Sequence, residues 1–432
     1  MNAHFQEDAM DMPRVVIVGA GFAGLETAFT LRRHLGDGVD LTLVTDRPDF
    51  VFKPGMVYVP FGGAEDDLRL PLETPADRRG IAVRHGGIAW VETDPKRIAL
   101  ADGDLLDYDY LVLATGAAMR PEAVPGLAEH AHLIGTIEQM RELARELKRL
   151  RDAAVDGSPQ HVLFLVPPGN LCPGPLYELA FMLEQWLRRS RVRDRICVTF
   201  ATHEATYLQA FGIGLDRPVG GEFAERGIVG CRSAAVTSVE PNLVRFADGT
   251  ARVFDLLVAT APHGAGVDYE GLPCDRRGFL LTEPQTRRVR RTEAVYAPGD
   301  AGDFPVKLGF LSLLQADAVA DDIAHRIDPD AVKAPSRFDP VGLYVMERFD
   351  DAVFTQVPLT LTGEPAHPAP DDAGADHLVG VSPIWRLGKK ALGIALPQQF
   401  RAGRPFHGGL PGGAAALGLK GMSKALADAV KE

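Results

Sequence analysis

The sequence predicts an α/β fold with two Rossmann-like units and a C-terminal α+β region. Three observations predict it. A glycine-rich turn joins a β-branched strand to a helix near residue 14, and a second strand–turn–helix segment follows about 147 positions later. The alternation of strands and helices then gives way to a tail rich in glycine and proline. At 432 residues the chain is long enough for two or three hydrophobic cores.

The first unit opens with RVVIVGAGFAGLETAFTLRRHL from Arg14. Gly19 makes the tight turn, Gly21 lets backbone approach a pyrophosphate, and Gly24 lets the helix pack closely on its strand. Phe22 and Ala23 lie in the first helical turn, where the dipole and free N–H groups favour phosphate. The next strand, LTLVTD, ends in Asp46, 22 residues past Gly24, where an acid that accepts ribose hydroxyls is expected.

Two later segments choose the dinucleotide. DYLVLATGA is a buried strand ending in Ala114, Thr115 and Gly116, the place where an ATG strand closes a flavin domain. AVYAPGDAGDFPVKLGF, from Ala294, brings Gly299 and Asp300 to a ribityl hydroxyl and is followed by a long helix. Lys307 and Gly309 open that helix, whose N-terminal dipole points at the flavin edge that gains charge on reduction. Pro54 belongs to the same cofactor set. Glycine turn, acid, ATG and APGD in this order predict FAD, in a two-dinucleotide-binding flavoprotein arrangement.

The chain then repeats itself. LADGDLLDYDYLVLATG from Leu100 resembles FADGTARVFDLLVATAP from Phe246, with Asp109 and Asp255 146 positions apart. HVLFLV at His161 matches RVVIVG at Arg14. In the second copy the first two glycines become Leu165 and Pro167, followed by Pro168. Proline has no N–H to offer a phosphate, so this unit is expected not to hold NAD(P)H. Glu204 could pass for a ribose acid but lies 30 residues past Gly174.

What stands in that turn is Cys172, directly before the helix PLYELAFMLEQWLRR. A helix N-terminus favours thiolate, so Cys172 reads as an activated nucleophile and the catalytic residue. Cys197 and Cys231 read as small buried hydrophobes, and Cys274 as incidental. With no CxxC, neither a metal site nor a dithiol couple is expected. The net charge of −12 argues against nucleic acid. The run Arg287–Arg291 reads as a solvated strand face. No secretory signal and no spanning apolar run is visible, which places the chain in the cytoplasm or on the inner face of a membrane.

The segment Cys172–Glu178, Cys-Pro-Gly-Pro-x-Tyr-Glu, together with VGAGFAGLETA and APGD, resembles sulfide:quinone oxidoreductase and the flavoprotein subunit of flavocytochrome c sulfide dehydrogenase. The resemblance runs from Val15 to about Phe406, and its flavin motifs are shared with type II NADH dehydrogenases. It implies a small-molecule sulfur donor reacting at a cysteine beside FAD, with quinone or another acceptor taking the electrons. Cys172 occupies one redox cysteine position. Where the family has others, this chain has Gly135 and, near VGLYVMERFDD, Leu343 or Tyr344.

The resemblance and the motifs divide the chain into an FAD domain (13–120 and 284–330), a degenerate Rossmann-like domain (121–283) and a C-terminal region (331–432). The last is expected to supply the acceptor pocket, a peripheral membrane contact or a dimer face. Leu417, Met422, Leu426 and Val430 have crude helical spacing, beside Lys420, Lys424 and Lys431. Trp385, Phe400 and Phe406 fit either an acceptor pocket or a core. Three readings stay open: a sulfide:quinone oxidoreductase-like enzyme, an NADH:quinone dehydrogenase, and a flavin-holding protein without turnover.

Overall fold

The computed structural model describes residues 12–366 and 378–406; the helical spacing at Leu417–Val430 lies outside them. Arg14–Val18 (β1) is buried from Val15 onward, as expected of a β-branched strand covered on both faces. Phe22–Leu35 (α1) follows and ends at Gly36, whose positive φ of 54° lets its N–H turn back to the Arg32 carbonyl. Asp40–Thr45 (β2), Ala82–His85 (β3) and Tyr110–Leu113 (β4) then build a parallel sheet around β1.

Ala117–Met119 (β5) leads into a second parallel sheet. His132–Leu133 (β6) precedes Ile137–Val155 (α2), which starts in a capping box between Thr136 and Gln139. Gln160–Val166 (β7), Gly174–Arg189 (α3), Ile196–Thr202 (β8), Ile228–Cys231 (β9) and Leu256–Ala259 (β10) follow. His263–Ala265 (β11) pairs antiparallel with β5, tying the exits of the two sheets together. Val295–Tyr296 (β12) then returns to the edge of the first sheet beside β4.

The two sheets share one plan. Their strand orders are β12-β4-β1-β2-β3 and β6-β10-β7-β8-β9, all parallel. Each carries a three-stranded antiparallel meander, at 88–107 and 236–253, and each meander has a register shift at its start. The shift falls between Ile88 and Trp90 in one and between Val236 and Ser238 in the other. Side chains such as Phe164, Val166, Tyr177 and Phe200 are buried between sheet and helix, each worth about 2 kcal/mol of hydrophobic burial.

Gly309–Ile327 (α4) packs along α1. Beyond it, Val341–Glu347 (β13), Ala352–Pro358 (β14) and Leu378–Ser382 (β15) form an antiparallel sheet, flanked by Pro383–Arg401 (α5). This is the predicted α+β region. Of its aromatics, Phe400 and Phe406 pack against Phe50, and Trp385 stacks on Phe354 with centroids 4.3 Å apart. They fill core.

Two expectations fail here. Arg287–Arg291 forms no strand: Arg288 and Val289 make isolated bridges to Tyr296 and Thr282, and φ is positive at Arg287 and Arg291. Arg287 is only 2% exposed and donates to Asp303 at 3.1 Å, so a carboxylate compensates its burial and it belongs to no solvated face, while Arg290 and Arg291 are exposed. Cys197 is exposed near the start of β8, while Thr199 and Ala201 on the same face are buried.

Candidate functional site

The first cradle combines close contact with open space. A Cβ at Gly24 would lie 1.8 Å from the Gly19 carbonyl oxygen, so the helix meets its strand through glycine alone. Gly19 has φ +106°, and a Cβ there would lie 2.3 Å from the Ala114 carbonyl oxygen. Gly21 differs: its φ is −88°, and a Cβ there would meet nothing within 4 Å. The chain has no internal reason for glycine at that position, and the space suits a group outside it. No side chain caps α1, no acid occupies its first turn, and Asp46 stands exposed just past β2. These features fit a dinucleotide, with its pyrophosphate at the helix start and its ribose at the carboxylate.

The remaining predicted residues lie around the same sheet edge. Ala114 is buried at the end of β4, Thr115 hydrogen-bonds Tyr269, and Gly116 has φ +75°. Gly299 and Asp300 form a short turn after β12, with Ser312 Oγ 3.5 Å from the Asp300 carboxylate. Gly309 opens α4 against the Phe22 ring. Pro54 is exposed in the turn Lys53–Phe61. Lys307 is buried, donates its Nζ to the Gly302 carbonyl at 2.5 Å and lies 4.1 Å from the centroid of Phe279. Burial pushes its pKa down to about 8, with Asp300 opposing.

The second cradle is closed. Gly174 is the first residue of α3, and a Cβ there would lie 2.9 Å from the ring of Tyr344 on β13. Glu204 is buried and occupied: it accepts from Tyr177 Oη at 2.7 Å, Thr202 Oγ1 at 2.8 Å and Gln209 N–H at 2.9 Å. A ring over the helix end and a spent carboxylate leave little for a phosphate or ribose.

Cys172 sits in this turn, half-buried. Its N–H donates to Asn170 Oδ1 at 3.1 Å, and Asn170 Nδ2 donates to the Ala261 carbonyl at 2.8 Å. The Lys307 N–H donates to the Leu171 carbonyl at 3.1 Å, joining the thiol turn to the loop that opens α4. The thiolate expected at a helix N-terminus does not result. Burial pushes the thiol pKa up to about 12, the Asp300 carboxylate acts in the same direction, and Lys53 opposes them. Asp300 thus acts electrostatically on Cys172, and the Leu171–Lys307 bond brings the thiol turn to the predicted cofactor loop.

Other residues carried no signal in the sequence. His263 Nδ1 lies 3.2 Å from the Leu171 N–H. Glu178, the last residue of the cysteine segment, is buried and accepts from Tyr344 Oη and Glu347 N–H at 3.0 Å and from Lys389 of α5. Burial pushes its carboxyl pKa up, and Lys389 opposes. Glu347 in turn accepts from Tyr58 Oη at 2.8 Å and Arg386 at 2.6 Å. Two cations one turn apart on α5 thus meet two buried carboxylates behind the thiol turn. Only the repeat could have flagged His263: it is a histidine where the first copy has Ala117. Among the described residues no group of three His, Cys, Asp or Glu side chains could hold a metal ion.

Comparison with known proteins agrees with this geometry. Residues 13–162 match the pyridine nucleotide-disulphide oxidoreductase family. The chain is 33% identical over 239 residues to the sulfide-quinone reductase of Aquifex aeolicus, covering 54% of each protein. It thus spans about half the length of that relative. It is 26% identical over 306 residues to the NADH dehydrogenase-like protein Rv1812c of Mycobacterium tuberculosis, covering 67% of this chain and 72% of that one. The fold superposes on the sulfide:quinone oxidoreductase structure from Aquifex aeolicus with a TM-score of 0.77 and 22% identity, over 91% of this chain and 92% of that one.

Proposed function

We propose that the protein is an FAD-dependent oxidoreductase that oxidises a reduced sulfur compound at Cys172 and delivers the electrons to a quinone. One observation carries the reading: the thiol turn of the second unit is bonded, through Leu171 and Lys307, to the cofactor-side loop of the first. Gly19, Gly21, Phe22, Ala23 and Gly24 would hold the pyrophosphate, and Asp46 the adenosine ribose. Pro54, Ala114, Thr115, Gly116, Gly299, Asp300, Lys307 and Gly309 would line the ribityl and ring end. When bound, FAD supplies an acceptor for the two electrons released as a thiol and hydrosulfide join in a persulfide. Cys172 supplies the thiol, and an external nucleophile must lift the added sulfur, since Tyr344 stands beside it in place of a second thiol.

The region 331–432 is the acceptor side in this reading. Ile384, Leu387, Leu392 and Ile394 are exposed along α5, and such a face suits a peripheral seat on the membrane in which quinone is dissolved. Among the described residues no helix is long and apolar enough to cross a membrane.

A second reading, an NADH:quinone dehydrogenase, is favoured by the NADH dehydrogenase-like relative. The Tyr344 ring over Gly174 and the occupied Glu204 count against it.

Anaerobic mixing of the flavin-loaded protein with sulfide, and separately with NADH, tests both readings through flavin absorbance. Bleaching by sulfide, slowed at least about 100-fold in Cys172→Ala, is expected. A variant bleached as fast as the parent overturns the role of Cys172, and rapid bleaching by NADH alone selects the second reading.

A further inference from the structure

The Cys172 turn is held by a histidine whose protonation is dictated by its neighbours. His263 Nδ1 faces two donors, the Leu171 N–H at 3.2 Å and Asn170 Nδ2 at 3.4 Å. Asn170 cannot turn its oxygen toward the ring, because Oδ1 already accepts the Cys172 N–H and Nδ2 donates to the Ala261 carbonyl. Nδ1 must therefore present a lone pair, and the ring proton belongs on Nε2. Burial also keeps the ring neutral, pushing its pKa down to about 4, with Asp300 opposing and Lys307 and Lys53 assisting. Nε2 makes no hydrogen bond among the described residues. The bond to the Leu171 N–H places His263 against the residue before Cys172, and the same two charges, Asp300 and Lys53, act on both side chains.

A ring locked in this tautomer cannot take the Cys172 proton: Nδ1 is occupied and Nε2 already carries hydrogen. It can only donate. Resting on the reading of Cys172 as the sulfur-binding thiol, we propose that the His263 Nε2–H is the hydrogen-bond donor that holds an anionic sulfur substrate, hydrosulfide or a small thiolate, beside Cys172. Lys53 adds the positive charge that draws such an anion in.

Two substitutions separate donation from mere support of the turn. His263→Asn puts an oxygen near Nδ1 to accept the Leu171 N–H and abandons the Nε2 position. His263→Gln reaches the Nε2 position with an N–H and abandons Nδ1. In flavin-loaded protein at about pH 9, the rate of Cys172 modification by anionic iodoacetate relative to neutral iodoacetamide, read by mass spectrometry of the Cys172 peptide, reports the donor. His263→Gln is expected to keep the parent ratio within about twofold, and His263→Asn to lower it about tenfold. The sulfide concentration that half-saturates bleaching should rise about tenfold in the same variant.

Equal ratios in the two variants, or loss in His263→Gln alone, would overturn the proposal. Retention of the ratio pattern in a protein that sulfide does not bleach would defeat the sulfur-oxidation reading while leaving the donor in place. Nitrogen-15 NMR of labelled histidine in the parent is independent of folding in either variant. A proton on Nδ1 of His263 at neutral pH would overturn the assignment, and a proton on Nε2 supports it.

Discussion

Asp109 and Asp255 do the same work in the two sheets. The Asp109 carboxylate accepts the Arg14 N–H at 2.7 Å while its own N–H donates to the Arg14 carbonyl at 2.8 Å. Asp255 accepts the His161 N–H at 2.7 Å and donates to the His161 carbonyl at 2.8 Å. Each clamps the start of the central strand, β1 or β7, to the start of its neighbour, β4 or β10. Asp255→Ala should therefore destabilise the protein by about 1 kcal/mol through the orphaned His161 N–H, while Asp255→Asn keeps an acceptor oxygen and most of the stability. Urea denaturation midpoints of the two variants check this.

The glycines of the first turn predict opposite phenotypes. Gly24→Ala drives a methyl into the Gly19 carbonyl, a backbone atom that cannot yield, and should abolish the folded protein or its soluble expression. Gly21→Ala adds a methyl to open space at a negative φ, so the flavin-free protein should melt within about 2 °C of the parent. Its FAD affinity should nevertheless fall at least about tenfold, because the methyl intrudes where the pyrophosphate belongs. Thermal melts with and without added FAD, plus a flavin titration, distinguish the two.

The repeat was legible because its marks are local: strand composition, an Ala-Asp-Gly turn, and the clamping aspartates at a constant offset. The C-terminal sheet and helix were also legible as a class, since they break the β–α alternation. The chemistry around Cys172 was not. A helix N-terminus beside a thiol predicts thiolate, but the outcome is decided by burial and by Asp300, 128 positions away. Glu178 looked like one more residue of the cysteine segment, and only the fold brings Lys389 and Tyr344 to it. Arg287 misled for the same reason: its compensating carboxylate, Asp303, follows a strand return that sequence periodicity does not show.

Glu178 and Lys389 form a buried ion pair that ties α5 to the helix behind the thiol turn. Lys389→Met removes the cation and leaves a carboxylate that burial already pushes toward its neutral form. The variant should lose about 3 kcal/mol at neutral pH, and the double change Glu178→Gln with Lys389→Met should recover most of it. Tryptic cleavage at Lys390 should accelerate in the single variant, since the pair holds that turn of α5 on the body. Denaturation midpoints and a digestion time course read out the two effects.

The Cys172 thiol carries a pH signature. Its pKa is pushed up to about 12 by burial and by Asp300, so the thiolate is the minor form throughout the neutral range. Below its pKa each pH unit multiplies the thiolate by ten, and modification by iodoacetamide should climb about tenfold per unit from about pH 7 to about pH 10 without levelling. Exposed Cys197 provides the reference in the same digest. Lys53→Gln removes a cation that opposes the shift, so the pKa should move further up and modification at a fixed pH should slow about threefold. A plateau near neutral pH would mean that a thiolate forms there after all. The bond from Leu171 to Lys307 would then bring the sulfur to the cofactor loop already charged, and the reaction would need no proton removed from Cys172.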